Sequence, residues 1–156
     1  MVSGAGVLYR LWTRMRATSY NEVHEGAGLM ITTTSETDRY RTLFSNGRHS
    51  GYSDTSPDKG GGNQGLRPHE LLEAALGCCM NMHLRMYADN HGIALGEVTT
   101  TVTIDRSDPA QAVFDYSIHF SQKLPPELDS KLRQIALTCP VHGTLSRQIV
   151  MRQGAG

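Results

Sequence analysis

The side chains able to do chemistry are few and fall in two places. Cys78 and Cys79 stand together in the run PHELLEAALGCCMNMHLRMYA (residues 68–88), with His83 four residues after Cys79. The remaining cysteine, Cys139, opens the run CPVHG and has His142 three residues after it. A thiol beside a histidine at two separate places points to thiol redox chemistry or to a metal. In the redox reading a thiolate attacks a peroxide oxygen, and a second thiol captures the sulfenic acid that results. That requires one activated and one resolving cysteine within disulfide reach, which Cys79 and Cys139 could supply. Neighbours in a helix cannot bond each other without distortion, so a disulfide has to use Cys139 rather than the Cys78–Cys79 pair. In the metal reading Cys79, His83, Cys139 and His142 close a tetrahedral zinc site, although neither pair lies on the tight turn that zinc ribbons use. The plain alternative is three small apolar side chains in a core, since free cysteine is among the most buried residue types.

The element that must position Cys79 is a helix over Pro68–Ala88. It opens with a proline, contains Gly77 as its only breaker, and is apolar almost all round: Leu71, Leu72, Leu76, Met80, Met82, Leu84, Met86 and Tyr87. Such a helix is expected to be covered on every side, with Met80, Met82 and Met86 as core filler. Glu73 reads as a surface position on it, because unpaired carboxylates are costly to bury. His91-Gly92 ends it. Cys79 lies too deep in the helix to use its N-terminal dipole, which acts only within the first turn. Activation therefore falls to a side chain: His83, or Arg48 or His49 if the glycine-rich stretch folds over the helix.

That stretch, Asn46–Arg67, has no periodic pattern and reads as one long loop. Its GGG lacks the Lys-Ser/Thr pair of a phosphate-binding loop, which removes nucleotide binding. Ahead of it, Leu29–Thr34 and Tyr40–Phe44 suit a hairpin. Val98–Ile104 and Phe114–Phe120 alternate as strands with one wet face, His119 among the wet residues, joined by a turn at Arg106–Pro109. Pro125-Pro126 with Glu127 and Asp129 opens a second helix, in which Leu128, Leu132, Ile135, Ala136 and Cys139 share a face and Pro140 ends the run. Leu145–Met151 is expected to close the chain as a turn of helix or a last strand. The order predicts an α+β fold.

Composition narrows the function. The 156 residues carry a formal net charge of zero, which gives no case for nucleic acid or an anionic membrane surface. No run of 18 apolar residues exists to span a bilayer. Three cysteines, an odd number, fit a reducing compartment such as the cytoplasm. Residues 1–20 hold Arg10, Arg14 and Arg16 and no acid, with Leu8, Leu11, Trp12 and Met15 at helical spacing. This resembles a mitochondrial transit peptide, relevant if the host is eukaryotic, and otherwise reads as an N-terminal arm ahead of one domain over 21–156.

The run HELLEAALGCCMNMHLRMYA resembles the central-helix signature of the OsmC-like superfamily, and CPVHGTL resembles its second motif. The stretch NGRHSGYSDTSPDKGGGNQG is similar to that family's loop, with His49, Asp54 and the paired glycines in register. The resemblance covers most of Arg39–Met151 and leaves out the first 20 residues. It implies antiparallel sheets around a buried central helix, in chains that intertwine as a homodimer with two sites at the interface. It assigns Cys79 as the peroxidatic and Cys139 as the resolving cysteine, with Cys78 an additional thiol. It implies reduction of small organic hydroperoxides by a dithiol such as a lipoyl group, with no metal or organic cofactor. The family also implies an arginine from the first hairpin and a glutamate ten residues before the reactive cysteine. Here that position is His69, with Glu70 one place off, and residues 21–30 hold no arginine. Arg48, His49 and Glu70 are the candidate substitutes. If they do not serve, the fold suits a non-enzymatic protein holding a small ligand in an apolar interface pocket.

Overall fold

The computed structural model describes residues 30–154, so residues 1–20 and His24 lie outside the described residues. Where the sequence reads as one domain from residue 21, the described chain forms two compact units that part between Gly65 and Leu66.

The first unit is an antiparallel sheet of β1 (Thr32–Ser35), β2 (Thr42–Ser45) and β3 (Ser50–Ser53), in that order. The expected hairpin is β1–β2, with Thr34 opposite Leu43. Its turn is tied by Arg41, whose guanidinium meets Glu36 at 2.5 Å and Asp38 at 2.8 Å and lies over the Tyr52 ring at 5.1 Å. The single long loop expected over Asn46–Arg67 is corrected: β3 lies inside it. Its sequence, Ser-Gly-Tyr-Ser, has no alternation of apolar and polar side chains, so it gives no strand signal. The reversal into β3 is an Asn turn, in which Asn46 Oδ1 accepts the N–H groups of Arg48 (3.0 Å) and His49 (2.8 Å).

Beyond β3 the chain wraps round one buried carboxylate. Asp54, 3% exposed, accepts the N–H groups of Thr55 at 2.7 Å and of Gly62 and Gln64 at 3.0 Å. The N–H of Gln64, then that of Thr55, hold its carboxyl below the usual carboxylate range against the opposing pull of burial. The glycines let the chain close on itself. A Cβ at Gly61 would stand 2.3 Å from the Thr55 carbonyl oxygen, and one at Gly65 would stand 2.2 Å from that of Tyr52.

The second unit is built on α1 (Pro68–Asn90), β4 (Val98–Asp105), β5 (Val113–Phe120), α2 (Pro126–Ala136) and α3 (Pro140–Leu145). At 23 residues α1 is about 35 Å long. The backbone N–H of Arg67 donates to the Glu70 carboxylate at 2.8 Å, and Pro68 takes the first helical position. At the far end the His91 ring stacks on Tyr87 at 4.0 Å, ahead of Gly92 at φ +64°. None of the described helices is long and apolar enough to cross a membrane.

Three residues of α1 fix it against β4. The Glu73 carboxylate accepts the Ile104 N–H at 2.9 Å, a group that the two-stranded β4–β5 ladder leaves over. Asn81 Oδ1 accepts the Thr100 hydroxyl at 2.6 Å. Between them, a Cβ on Gly77 would lie 3.4 Å from Val102 Cγ2 and 3.6 Å from the Thr100 carbonyl oxygen. Four helical residues rise about 6 Å and two strand residues about 6.6 Å, so residues 73, 77 and 81 keep step with 104, 102 and 100. Glu73 is thus half-buried and bonded, not a free surface acid.

This register turns Leu76, Met80, Leu84 and Ala88 into the core, where they join Ile118 and Phe120 of β5, Leu132 and Ala136 of α2, and Cys139. The β4–β5 alternation is as read, with Val102 opposite Tyr116 and His119 exposed, save that Tyr116, on the apolar face, is itself exposed. The expectation that α1 is covered on every side is corrected. Its other face is open in the single chain, with Met82 61% and Met86 45% exposed, so of the three methionines only Met80 is core filler. The tail is corrected as well. The helical turn α3 precedes it, and residues 148–154 form neither helix nor strand, leaving Met151 87% exposed.

Two outcomes follow from this packing. Gly77→Ala adds a methyl at ordinary contact distance and gains helix propensity, so it raises the unfolding free energy by about 1 kcal/mol. Gly77→Leu overfills the same gap and lowers it by about 1–3 kcal/mol; chemical denaturation of both variants checks the pair. At Asp54 the depressed carboxyl contributes stability that is present above its unfolded value of about 3.9 and is lost as pH falls through the folded value. Asp54→Asn removes that acid-side dependence and exposes the Gly62 and Gln64 amides to hydrogen exchange, read by NMR between pH 3 and 7.

Candidate active site

Cys79 and Cys139 reach the site by different routes. Cys79 is placed by α1, one residue beyond the exposed Cys78 and on the side of the helix that packs on α2 and α3. Cys139 was expected inside the end of α2, with Pro140 as a stop. That is corrected: α2 ends at Ala136, and Pro140 is the first residue of α3. A residue before proline is pushed to extended backbone, so Cys139, at φ −66° and ψ 144°, becomes the N-cap of α3 instead of the last turn of α2.

The first turn of α3 then serves both sulfurs. Cys139 Sγ accepts the His142 N–H at 3.4 Å, and Cys79 Sγ accepts the Val141 N–H at 3.5 Å. The sequence reading left the activation of Cys79 to a side chain, because the start of its own helix is too far away. What the structure places at the Cys79 sulfur is a backbone N–H of another helix, a contact that only the tertiary arrangement supplies. Cys139 is fully buried and Cys79 half-buried; both, like Cys78, are free thiols. Burial above all pushes the Cys139 thiol up from its ordinary value. The N–H of His142 opposes this, while the hydrogen bond and charge of Cys79 add to it. Cys139 is therefore a protonated thiol at neutral pH, next to Cys79.

The other candidates lie as follows. His83 turns to the α2–α3 connection, with Nε2 3.0 Å from Thr138 Oγ1. Among the described residues no three His, Cys, Asp or Glu side chains are grouped to hold a metal ion. Glu70 is taken up by Arg67, whose Nε donates to it at 2.7 Å and which holds its carboxyl below the usual range. It precedes Cys79 by nine residues, about 13 Å of helix rise and half a turn round the axis. Arg48 and His49 belong to the first unit, exposed on the β2–β3 turn. Cys78 borders a cavity of about 240 Å³ with Glu73, Thr100 and Val102.

Two residues of interest, Arg41 and Arg106, escaped the sequence reading, and a third, Asp54, was placed there only by its register in the family's loop. The first hairpin does carry arginine, at Arg39 and Arg41, both beyond residues 21–30. Asp54 organises the glycine loop, which its place in a motif of small residues could have signalled. Arg106, on the β4–β5 turn, donates to His69 Nε2 at 3.2 Å, so the ring at the position ten before Cys79 has an arginine partner.

Comparison with known proteins gives one family. A family model described as OsmC-like protein matches residues 60–153. Among solved structures, the chain is similar to a Psychrobacter arcticus protein named for osmotic stress induction and a detoxification response. Identity is 25%, 73% of this chain and 85% of that one are covered, and the TM-score is 0.64. It is similar in fold to the organic hydroperoxide resistance protein OsmC of Legionella pneumophila, at 16% identity, 75% and 89% coverage and a TM-score of 0.54. A Vibrio cholerae organic hydroperoxide resistance protein, solved with captopril in one of its active sites, has 19% identity, 75% and 84% coverage and a TM-score of 0.54. No curated protein matches the sequence. With the family model spanning more than half of the 156 residues, and with the α+β arrangement of antiparallel sheets and a long helix shared by those structures, the chain belongs to the OsmC-like family.

Proposed function

We propose that the protein is a thiol-dependent peroxidase that reduces small organic hydroperoxides through a Cys79–Cys139 cycle. The observation that carries this reading is the meeting of both sulfurs at the first turn of α3, each with a backbone N–H directed at it. A negative sulfur gains most from such a donor, because hydrogen bonds to charged acceptors are the stronger ones. The Cys79 thiolate attacks the distal oxygen of ROOH, giving Cys79 sulfenic acid and an alkoxide that takes a proton to leave as ROH. Cys139, buried and protonated, then displaces the sulfenic hydroxyl. The sulfurs join, and the thiol proton leaves with the hydroxyl as water. A dithiol, of which a lipoyl group is the proposed natural example, reduces the disulfide and is itself oxidised to its own disulfide. Sulfur carries both electrons throughout, so the cycle draws on no metal or organic cofactor. The names of the Legionella and Vibrio relatives support the substrate class.

The open face of α1 supports the homodimer. Met82 and Met86 are too exposed for a stable single chain to favour, and a second copy of the chain covers them in this reading.

The direct test is mass-spectrometric disulfide mapping of reduced protein after one equivalent of an organic hydroperoxide. A Cys79–Cys139 bond is expected, absent in Cys79→Ser, whose peroxide consumption falls to background. In Cys139→Ser the Cys79 sulfenic acid persists long enough for dimedone to trap it. If Cys79 remains a thiol, the peroxidase reading is overturned in favour of a ligand-binding role. For the dimer, Met82→Asp removes burial of about 1.5–3 kcal/mol in each subunit, so sedimentation shows dissociation at least about a hundred times easier.

A further inference from the structure

The cycle requires the buried Cys139 to be held beside Cys79, and neither the α2 helix nor its ladder of bonds extends that far. Residues 137–139 form the connection between α2 and α3, anchored on one side by backbone turns from Thr138 N–H to Ile135 O (3.0 Å) and from Cys139 N–H to Ala136 O (3.2 Å). The anchor on the other side comes from α1. The Thr138 hydroxyl spends its proton on the Ile135 carbonyl at 2.8 Å, so its oxygen is left to accept. His83 Nε2, 3.0 Å away, must then be the N–H donor, which fixes the ring with Nδ1 as the unprotonated nitrogen when neutral. His83 is one turn along α1 from Cys79, and Thr138 is the residue before Cys139.

We infer that His83 and Thr138 form a latch that positions Cys139 for disulfide closure with Cys79. The role differs from that of a base for the thiolate, since Nε2 is committed to Thr138. A disulfide needs its two Cα atoms within about 4.4–6.8 Å, a spacing that a free three-residue connection samples only part of the time. Pinning residue 138 to residue 83 of the helix that carries Cys79 raises the effective concentration of one thiol at the other. The latch rests on the reading of Cys79 and Cys139 as a redox pair but not on hydroperoxide as the oxidant. Oxidised glutathione can serve: it takes two electrons from the pair, the Cys79–Cys139 bond forms, and two molecules of reduced glutathione leave with the two protons.

The experiment equilibrates the full chain, with Cys78→Ser as the common background, in buffers of reduced and oxidised glutathione and reads the Cys79–Cys139 disulfide after acid quench. His83→Leu and Thr138→Val are each expected to lower the equilibrium constant for closure about tenfold, the effect of one net hydrogen bond, which makes the pair about 30 mV more oxidising. His83→Gln, which can still present an N–H, and Thr138→Ser, which keeps the hydroxyl, are expected to restore most of it. The double variant His83→Leu/Thr138→Val should be no worse than either single one, because the two changes break the same contact. Unchanged or tighter closure in the leucine and valine variants overturns the latch. Loss that the glutamine and serine variants fail to restore overturns it too, by showing general loosening. A parent chain that closes with glutathione but not with hydroperoxide leaves the latch standing and overturns only the peroxidase reading. A parent chain that never closes overturns both.

Discussion

The register between α1 and β4 is the constraint on which the second unit depends. A helix apolar on most of its circumference has no preferred rotation from hydrophobicity alone. Direction has to come from the few polar or small side chains on it. Glu73 and Asn81 supply it by hydrogen-bonding β4, and Gly77 supplies it by letting the strand approach between them. Leaving either polar group unmatched in a half-buried contact costs roughly 1–3 kcal/mol, so a helix rotated by one residue is penalised twice. Once that rotation is set, Cys79 has only one side to face. The adjacent Cys78, about 100° further round, is left outside beside the cavity that borders β4. Two neighbouring cysteines thereby acquire different environments without any difference in their own chemistry.

Much of this was legible in the sequence where a period or a stop residue encoded it. The start of α1 at Pro68, its end at His91-Gly92, and both strands of the hairpin β4–β5 agree with the alternation and helix-stop signals to within about two residues. The third strand was not legible, because Ser50–Ser53 is held by backbone pairing to β2 and by a turn at Asn46, neither of which leaves a side-chain pattern. The course of the chain at Pro140 was misread for a different reason. Proline is compatible both with stopping a helix and with starting one, and the choice depends on where the next turn can pack. Glu73 was misjudged because its partner is a backbone N–H 31 residues away, invisible to any local rule.

The candidate site was legible as residue types and not as a mechanism. The pairing of Cys79 with Cys139 is what the family's motif order implied, and the groups offered as activators were side chains, His83 on the same helix and Arg48 or His49 on a distant loop. The donors that reach the two sulfurs are the N–H groups of Val141, to Cys79, and of His142, to Cys139, which any amino acid except proline could provide. Sequence therefore carries no mark of them beyond Pro140, whose fixed φ starts the turn that presents them. The same holds for Asp54, where one buried carboxylate fixes three N–H groups of the glycine-rich loop. In both places the chemically conspicuous residue is supported by an inconspicuous backbone, and the backbone geometry is the part that has to be seen.

The asymmetry between the two thiols follows from the same arrangement. A pair of equivalent cysteines would ionise competitively, and the second charge would oppose the first. Here complete burial keeps Cys139 protonated, and proximity to Cys79 reinforces this, while Cys79 keeps partial access to solvent. A buried neutral thiol is a poor nucleophile toward an incoming oxidant but brings the proton that a departing hydroxyl needs. It also escapes the overoxidation to which an exposed thiolate is open. In the proposed cycle, burial of Cys139 at the N-cap of α3 orders the two steps, since of this pair Cys79 is the sulfur with access to solvent.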